Sequence, residues 1–270
     1  MIPGGELLTV KLVKCKNAVS PSKLPGLDWA VNPYRGCEHG CAYCYVQDVT
    51  RFSLGSPWGE TVEVKANFAK QLKKELGKRV SGVYGIGTVT DPYQPAEARY
   101  ELTRNCLQIL KRFGASISIL TKSDLVLRDL DILSSWTDAE VGMSLACVDE
   151  GLSSILEPRA PAPIRRLGAL SRLVDAGIDT YLMAAPIVPG LSDSEKMIHQ
   201  LVDQVASVGV KKIMWDRYNP RPVADARMVS RFPHIEISDL HSPRDPFGFK
   251  MRCTMEYACS ERGIVLLDAF

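Results

Sequence analysis

The sequence predicts an α/β fold, a partial (β/α)6 barrel with a C-terminal appendage, and three observations carry the prediction. Short β-rich runs alternate with longer runs of helical period through the middle of the chain, the pattern of parallel βαβ units. About six such units follow one another without visible reversal of strand order, which fits a partial barrel better than a doubly wound sheet. The 270 residues are 46% hydrophobic and 24% charged, enough apolar material for one large core, although composition alone leaves two smaller domains open.

Trp29 to Val31 reads as the first strand and runs into a Cys-rich loop. A helix follows through Val64, Phe68, Leu72 and Leu76, spaced three to four apart and stopped by Gly77. Val80 to Val89 is the second strand, and Glu97 to Phe113 a helix with Leu102, Cys106, Ile109 and Leu110 on one face. Ser116 to Leu120 is the third strand, with Asp124 the expected N-cap of the helix carrying Leu127, Leu130 and Leu133. Glu140 to Cys147 is the fourth strand, followed by a helix whose Ile164, Leu167, Leu170 and Val174 keep one face apolar. Ile178 to Val188 is the fifth, and Ser192 or Asp193 caps a helix with a stripe of Met197, Leu201, Val205 and Val208. Lys212 to Trp215 is the sixth. Beyond Asp216 the chain turns rich in Pro, Arg and His before a helix near Phe249 to Arg262 and a strand-like IVLL. The expected division is an N-terminal segment over 1–28, the barrel over 29–216, and an extension over 217–270 packing on the barrel mouth.

Lys and Arg number 33 against 31 Asp and Glu, a net charge of +2, which does not supply the basic excess of a protein that binds phosphate chains broadly. A membrane span needs roughly 18 consecutive apolar residues, and no stretch approaches that; the first residues also lack a signal-peptide core. A cytoplasmic location without membrane partners is therefore expected, and the unevenly spaced cysteines point to metal or redox chemistry rather than a disulfide framework.

That chemistry centres on NPYRGCEHGCAYCYVQ, where Cys37, Cys41 and Cys44 form a C-x3-C-x2-C loop directly after a strand. Soft thiolates suit zinc or an iron–sulfur cluster. Structural zinc requires a fourth protein ligand, such as His39 or the distant Cys15. A [4Fe–4S] cube held by three cysteines instead keeps one iron open to a small molecule. With Tyr43 just before the last cysteine, the loop resembles that of the radical S-adenosylmethionine (SAM) superfamily. NPYRGCEHGCAYCYV, GTVTDPYQPAE, ILTKS, LEPRAPAP and APIVPG together resemble the spore photoproduct lyase-like family, whose members repair thymine-derived lesions or have no established substrate.

The resemblance implies a barrel of the radical SAM type, a [4Fe–4S] cluster on Cys37, Cys41 and Cys44, and SAM chelated at the open iron. One electron then cleaves the C5′–S bond, and the 5′-deoxyadenosyl radical takes a hydrogen atom from substrate. It also implies an electron donor such as flavodoxin or ferredoxin. Tyr43, Thr90, Asp91, Lys122, Ser144 and Arg159 are the expected cofactor contacts: Thr90 and Asp91 near the methionine amino group, Lys122 on the carboxylate, Ser144 at the ribose, Arg159 as a carboxylate fork. The alternatives are a turn for Asp91-Pro92, a solvated Lys122, and a Glu157 to Arg159 ion pair.

Tyr45, Tyr93 and Cys147 are catalytic candidates, as cavity walls or hydrogen-atom relays, against plain burial. GIGTVT lacks the third glycine of a dinucleotide fingerprint. The lyases carry a cysteine near the end of the second strand, where this chain has Thr88, so lesion repair is disfavoured. A small metabolite is the expected substrate, its anionic group met by Arg217, Tyr218, Arg221 and His234 or His241. Nucleic acid or a peptide is the alternative substrate, and a non-catalytic zinc or electron-transfer module the alternative of another class.

Overall fold

A computed structural model describes residues 8–50, 55–77, 81–241 and 244–269, with backbone alone over 244–248. In chain order the strands are β1 (Thr9–Val13), β2 (Val19–Pro21), β3 (Trp29–Val31), β4 (Tyr34–Arg35), β5 (Thr61–Lys65), β6 (Val83–Ile86), β7 (Ser116–Thr121), β8 (Ala139–Ser144), β9 (Asp179–Ile187), β10 (Lys212–Arg217) and β11 (Val265–Asp268). The helices are α1 (Val46–Thr50), α2 (Phe68–Leu76), α3 (Pro95–Tyr100), α4 (Leu102–Arg112), α5 (Leu130–Leu133), α6 (Glu150–Leu156), α7 (Pro163–Asp175), α8 (Glu195–Ser207), α9 (Pro222–Arg231), α10 (Ile237–Leu240) and α11 (Arg244–Glu261), with a 3₁₀ turn over Asp124–Asp129.

The main sheet has eight strands in the order β11-β10-β9-β8-β7-β6-β3-β2. All neighbours are parallel except β2, which runs antiparallel to β3. The six expected strands are β3, β6, β7, β8, β9 and β10, laid side by side in chain order, so every β-to-helix connection leaves the same edge. That edge gathers the loops after β3, β6, β7 and β8 that carry Cys37 to Cys44, Thr90, Lys122 and Cys147. Parallel strands covered on both faces are near-continuously apolar, and β8 and β9 show this, with Val141, Met143, Leu182 and Ala184 buried in the main core.

Local departures from the sequence reading have physical causes. Val64 lies on β5, whose TVEVK alternation wins over the helical spacing, so the helix begins only at Phe68. The second strand contracts to Val83–Ile86, Val80 falling outside the described residues. The span from Glu97 to Phe113 is two helices, broken at Glu101, whose φ of 50° is left-handed. Ser123 rather than Asp124 caps the next turn, through its Oγ to the Leu125 N–H, and that turn is 3₁₀. Likewise Ser194, not Ser192 or Asp193, caps α8. Ile164 faces solvent, and Arg166 takes the buried position on α7 instead.

The smaller sheet, β1-β5-β4, was not anticipated. It ties residues 9–13 in parallel to β5 and holds Tyr34, just ahead of the cysteine loop, in antiparallel register with Val64. At the other end β11 adds to the β10 edge and α11 packs on α8, while α9 packs on α1, immediately after the cysteine loop.

Candidate active site

The loop from Gly36 to Tyr45 passes over the carboxyl edge of the sheet, pinned by hydrogen bonds from several elements. Thr90 donates its hydroxyl to the Gly36 carbonyl at 2.6 Å and accepts from Gln94 Nε2 at 2.8 Å. Gln94 Oε1 accepts the Glu38 N–H at 2.9 Å, and Glu38 Oε1 accepts the Ala96 N–H at the start of α3. The Ala42 N–H reaches the Leu156 carbonyl at the end of α6, 2.8 Å away. Arg159 Nε donates to the Glu38 carbonyl at 2.6 Å. Its guanidinium occupies the space a side chain on Gly40 would need: a Cβ there would stand 2.7 Å from Nη2, and φ is +61°. Glycine at position 40 thus serves the Arg159 brace as well as the turn.

The three thiols share this pocket of the fold. Cys37 and Cys41 are buried and Cys44 half-buried. Burial first, then Asp91 and the two neighbouring thiols, push Cys37 well above the ordinary thiol range. Burial pushes Cys41 up to about 12 against the pull of Lys122. Burial also raises Cys44, opposed by the Val46 N–H and by Arg227. Among the described residues no three His, Cys, Asp or Glu side chains close on one metal ion. Three soft donors on one buried loop, with cations beside them, fit a cluster.

Asp91 is fully engaged by protein. Its Oδ1 accepts from the Thr121 hydroxyl at 2.7 Å and the Tyr93 N–H at 2.9 Å, and its Oδ2 from the Lys122 N–H at 2.8 Å. His39 Nδ1 faces Oδ2 at 3.3 Å, close enough for an ion pair but outside hydrogen-bond geometry. Burial alone would raise this carboxyl; the His39 ring and the Thr121 and Lys122 donors outweigh it and hold Asp91 down at about 2.

Behind the loop lies a buried charged network that sequence reasoning missed. Glu157 accepts the Tyr43 hydroxyl and pairs with Arg166, whose Nη1 stands 2.5 Å from Oε2. Arg166 also donates to the Pro161 and Ser144 carbonyls at 2.6 and 3.2 Å. Lys122 Nζ is 4.0 Å from Glu157 and 5.6 Å from the Tyr43 ring centre, with 17% of its side chain exposed. It is therefore not a solvated surface lysine. Burial would lower its pKa, but Cys41 and Glu157 outweigh that and keep it charged.

The structure brings Tyr43, Thr90, Asp91, Lys122 and Ser144 to the sheet edge around the cysteine loop, and Arg159 to the loop's own backbone rather than into a Glu157 ion pair. Tyr45 also belongs there, half-exposed and donating to the Thr88 carbonyl at 2.9 Å. Cys147 is buried in one apolar cluster with Ala42 of the loop, its Sγ 3.6 Å from the Asp149 carbonyl. Tyr93 is fully buried, its N–H on Asp91 at 2.9 Å and its hydroxyl bound to Asp129 at 3.0 Å. In the extension Tyr218 is buried and donates to Asp225 at 2.6 Å, and His241 reaches the other Asp225 oxygen at 2.8 Å. Arg221 is exposed and begins α9, its N–H on Asp225, while His234 stacks edge-on against Phe232. Of the expected anion-binding set at the mouth, Tyr218, Arg221 and His241 thus meet at Asp225, while His234 packs on Phe232 and Arg217 ends β10.

Comparison with known proteins identifies the family. The model of the radical SAM superfamily matches residues 31–202, which include the whole cysteine loop and the strands β6 to β9. The chain belongs to the radical SAM superfamily. As a radical SAM protein it is an enzyme whose cofactors are a [4Fe–4S] cluster and SAM, and it needs a reductant. An uncharacterized protein of Methanocaldococcus jannaschii is 37% identical over 186 residues, 69% of this chain and 70% of that one. An uncharacterized protein of Mycobacterium bovis is 36% identical over 221 residues, 77% of this chain but 64% of the mycobacterial one. Among solved structures, spore photoproduct lyase with bound AdoMet and dinucleoside spore photoproduct superposes with a TM-score of 0.74 at 17% identity, covering 97% of this chain and 82% of that one. Streptococcus suis SuiB bound to its precursor peptide superposes with a TM-score of 0.56 at 16% identity, covering 97% and 48%. At these identities the likeness is one of fold, and it confirms the partial barrel. Among the described residues no helix is long and apolar enough to cross a membrane.

Proposed function

We propose that Cys37, Cys41 and Cys44 hold the cluster, and that the enzyme abstracts a hydrogen atom from a small metabolite bound at the carboxyl edge of the sheet. The observation that carries this reading is the three-thiol loop, braced from α3, α6 and Arg159, with the cation of Lys122 beside it. When bound, the cluster supplies the electron that cleaves SAM. The chain's own residues do the rest. Lys122 offers its ammonium to the SAM carboxylate while Glu157 and Tyr43 fix its position, and Ser144 would offer its hydroxyl to the ribose. Thr90 and Asp91 act one step back: Thr90 holds the Gly36 carbonyl, and Asp91 orients the backbone at Lys122. Cys147 is the candidate hydrogen donor, since it is a thiol buried in one apolar cluster with Ala42 of the cysteine loop.

The catalytic unit is residues 29–216, with 217–270 as an added wall. The modest net charge of +2 favours a small substrate over a polymer. A second reading is a nucleic-acid lesion, favoured by the likeness in fold to spore photoproduct lyase in complex with a dinucleoside lesion. It predicts salt-sensitive binding to oligonucleotides, which the first reading does not.

Anaerobic reconstitution tests the ligand assignment. The wild-type chain should take up about four irons, the content of one cube, and Cys41→Ala should lose the brown colour. Full iron content in Cys41→Ala, or zinc without iron in the wild type, would refute it.

A further inference from the structure

The cysteine loop is held on one side by the barrel and on the other by the C-terminal extension, whose side-chain hydrogen bonds to the loop come, among the described residues, from Arg227. Arg227, on α9, donates from Nε to the Ala42 carbonyl at 3.0 Å, from Nη2 to the Cys44 carbonyl and from Nη1 to Gln47 Oε1, while its guanidinium lies 5.9 Å from the Trp58 ring centre. All three nitrogens of the guanidinium are thus spent on one short stretch of chain roughly 180 residues earlier, as the sequence separations of 180 to 185 show. The contact is reciprocal. Asp48 of α1 accepts the Val223 and Ala224 N–H groups at 2.9 and 3.3 Å, capping the amino end of α9 from the loop side. Together these bonds bolt α9 to the backbone between Cys41 and Asp48.

We propose that Arg227 is a positioning residue for the iron–sulfur cluster, fixing the backbone around Cys44 and raising the cluster's reduction potential through its charge; this rests on Cys37, Cys41 and Cys44 being the ligands. The physical argument has two parts. A planar fork that satisfies two main-chain carbonyls and a side-chain oxygen fixes the loop in a way a lysine, with one point charge, does not. Reduction by a low-potential one-electron donor adds one negative charge to the cluster, and a fixed cation beside one of its ligands stabilises that added charge.

Two measurements on Arg227→Gln and Arg227→Lys test this. Hydrogen–deuterium exchange of residues 41–48 in the full-length chain before iron loading reads the backbone role. Both variants should exchange faster than wild type there and equally elsewhere in the sheet. An EPR-monitored redox titration at matched iron content reads the charge. Arg227→Gln should shift to a more negative potential, and Arg227→Lys should stay near wild type. If exchange over 41–48 is unchanged in both variants, Arg227 does not position the loop. If Arg227→Gln has the wild-type potential, its charge does not tune the cluster, and the proposal fails on that arm. A wild-type chain that takes up no iron would count against the ligand assignment instead, while the exchange arm still decides the loop contact. Should Arg227→Gln not fold, Arg227→Lys with Asp48→Asn decides: faster exchange in each supports the bolt between α9 and the loop, and unchanged exchange overturns it.

Discussion

Asp91 and Arg166 show how much of this site is support rather than surface. The His39 ring and the Thr121 and Lys122 donors overcome burial and hold Asp91 down at about 2 against an ordinary value of 3.8. The depressed value means its contribution is fully present above about pH 4 and is lost as the pH falls through about 2; at roughly 1.4 kcal/mol per unit it amounts to about 2 kcal/mol. Asp91→Asn should therefore flatten the acid limb of the urea-denaturation profile between pH 4 and 2, and an unchanged limb would contradict the assigned partners. Arg166, fully buried, neutralises Glu157. Arg166→Met leaves that buried carboxylate with the Tyr43 hydroxyl and the more distant Lys122, and should cost roughly 3–5 kcal/mol in urea denaturation. A loss below 1 kcal/mol would mean that Lys122 alone suffices. The cysteines were legible in the sequence because their spacing is local. Arg166, Glu157 as its partner, and Arg227 were not: a buried Arg166–Glu157 pair has no spacing signature of its own, and Arg227 binds mainly main-chain carbonyls far along the chain, which no residue pattern reports. The partner of the Tyr93 hydroxyl, Asp129, was hidden in the same way, 36 residues along the chain.

At the level of elements, the six parallel strands could be read because buried strands are continuous apolar runs and their helices carry one apolar stripe. The smaller sheet escaped: β4 is two residues long, and β5 holds Val62 and Val64 in a run that also fits the helical spacing of the next element. The break between α3 and α4 carries no glycine or proline signal, because the left-handed position is taken by Glu101. A non-glycine residue there costs roughly 1 kcal/mol. Glu101→Asn should hence raise stability by several tenths to about 1 kcal/mol in urea denaturation, and a loss would show that the Glu101 side chain compensates for its backbone.

Across the whole molecule, the sheet edge, the cysteine loop and the extension form one apparatus. β4 and β5 fix the chain as it enters the loop, α3 and α6 brace its middle, and α9 holds its exit. The barrel was legible as a succession of units, but the part played by residues 217–270 was not. Their Arg, Tyr and His read as a ligand-binding loop in sequence, whereas Tyr218, Asp225 and His241 bind one another and Arg227 binds the loop. On the proposed assignment, a cluster on Cys37, Cys41 and Cys44 keeps one iron for SAM. This assignment is tested most directly by incubating the reconstituted, reduced protein with SAM and measuring 5′-deoxyadenosine. Its formation in the wild type, and its absence in Cys41→Ala, is the predicted result. A fully loaded, reducible cluster that leaves SAM intact would contradict the account.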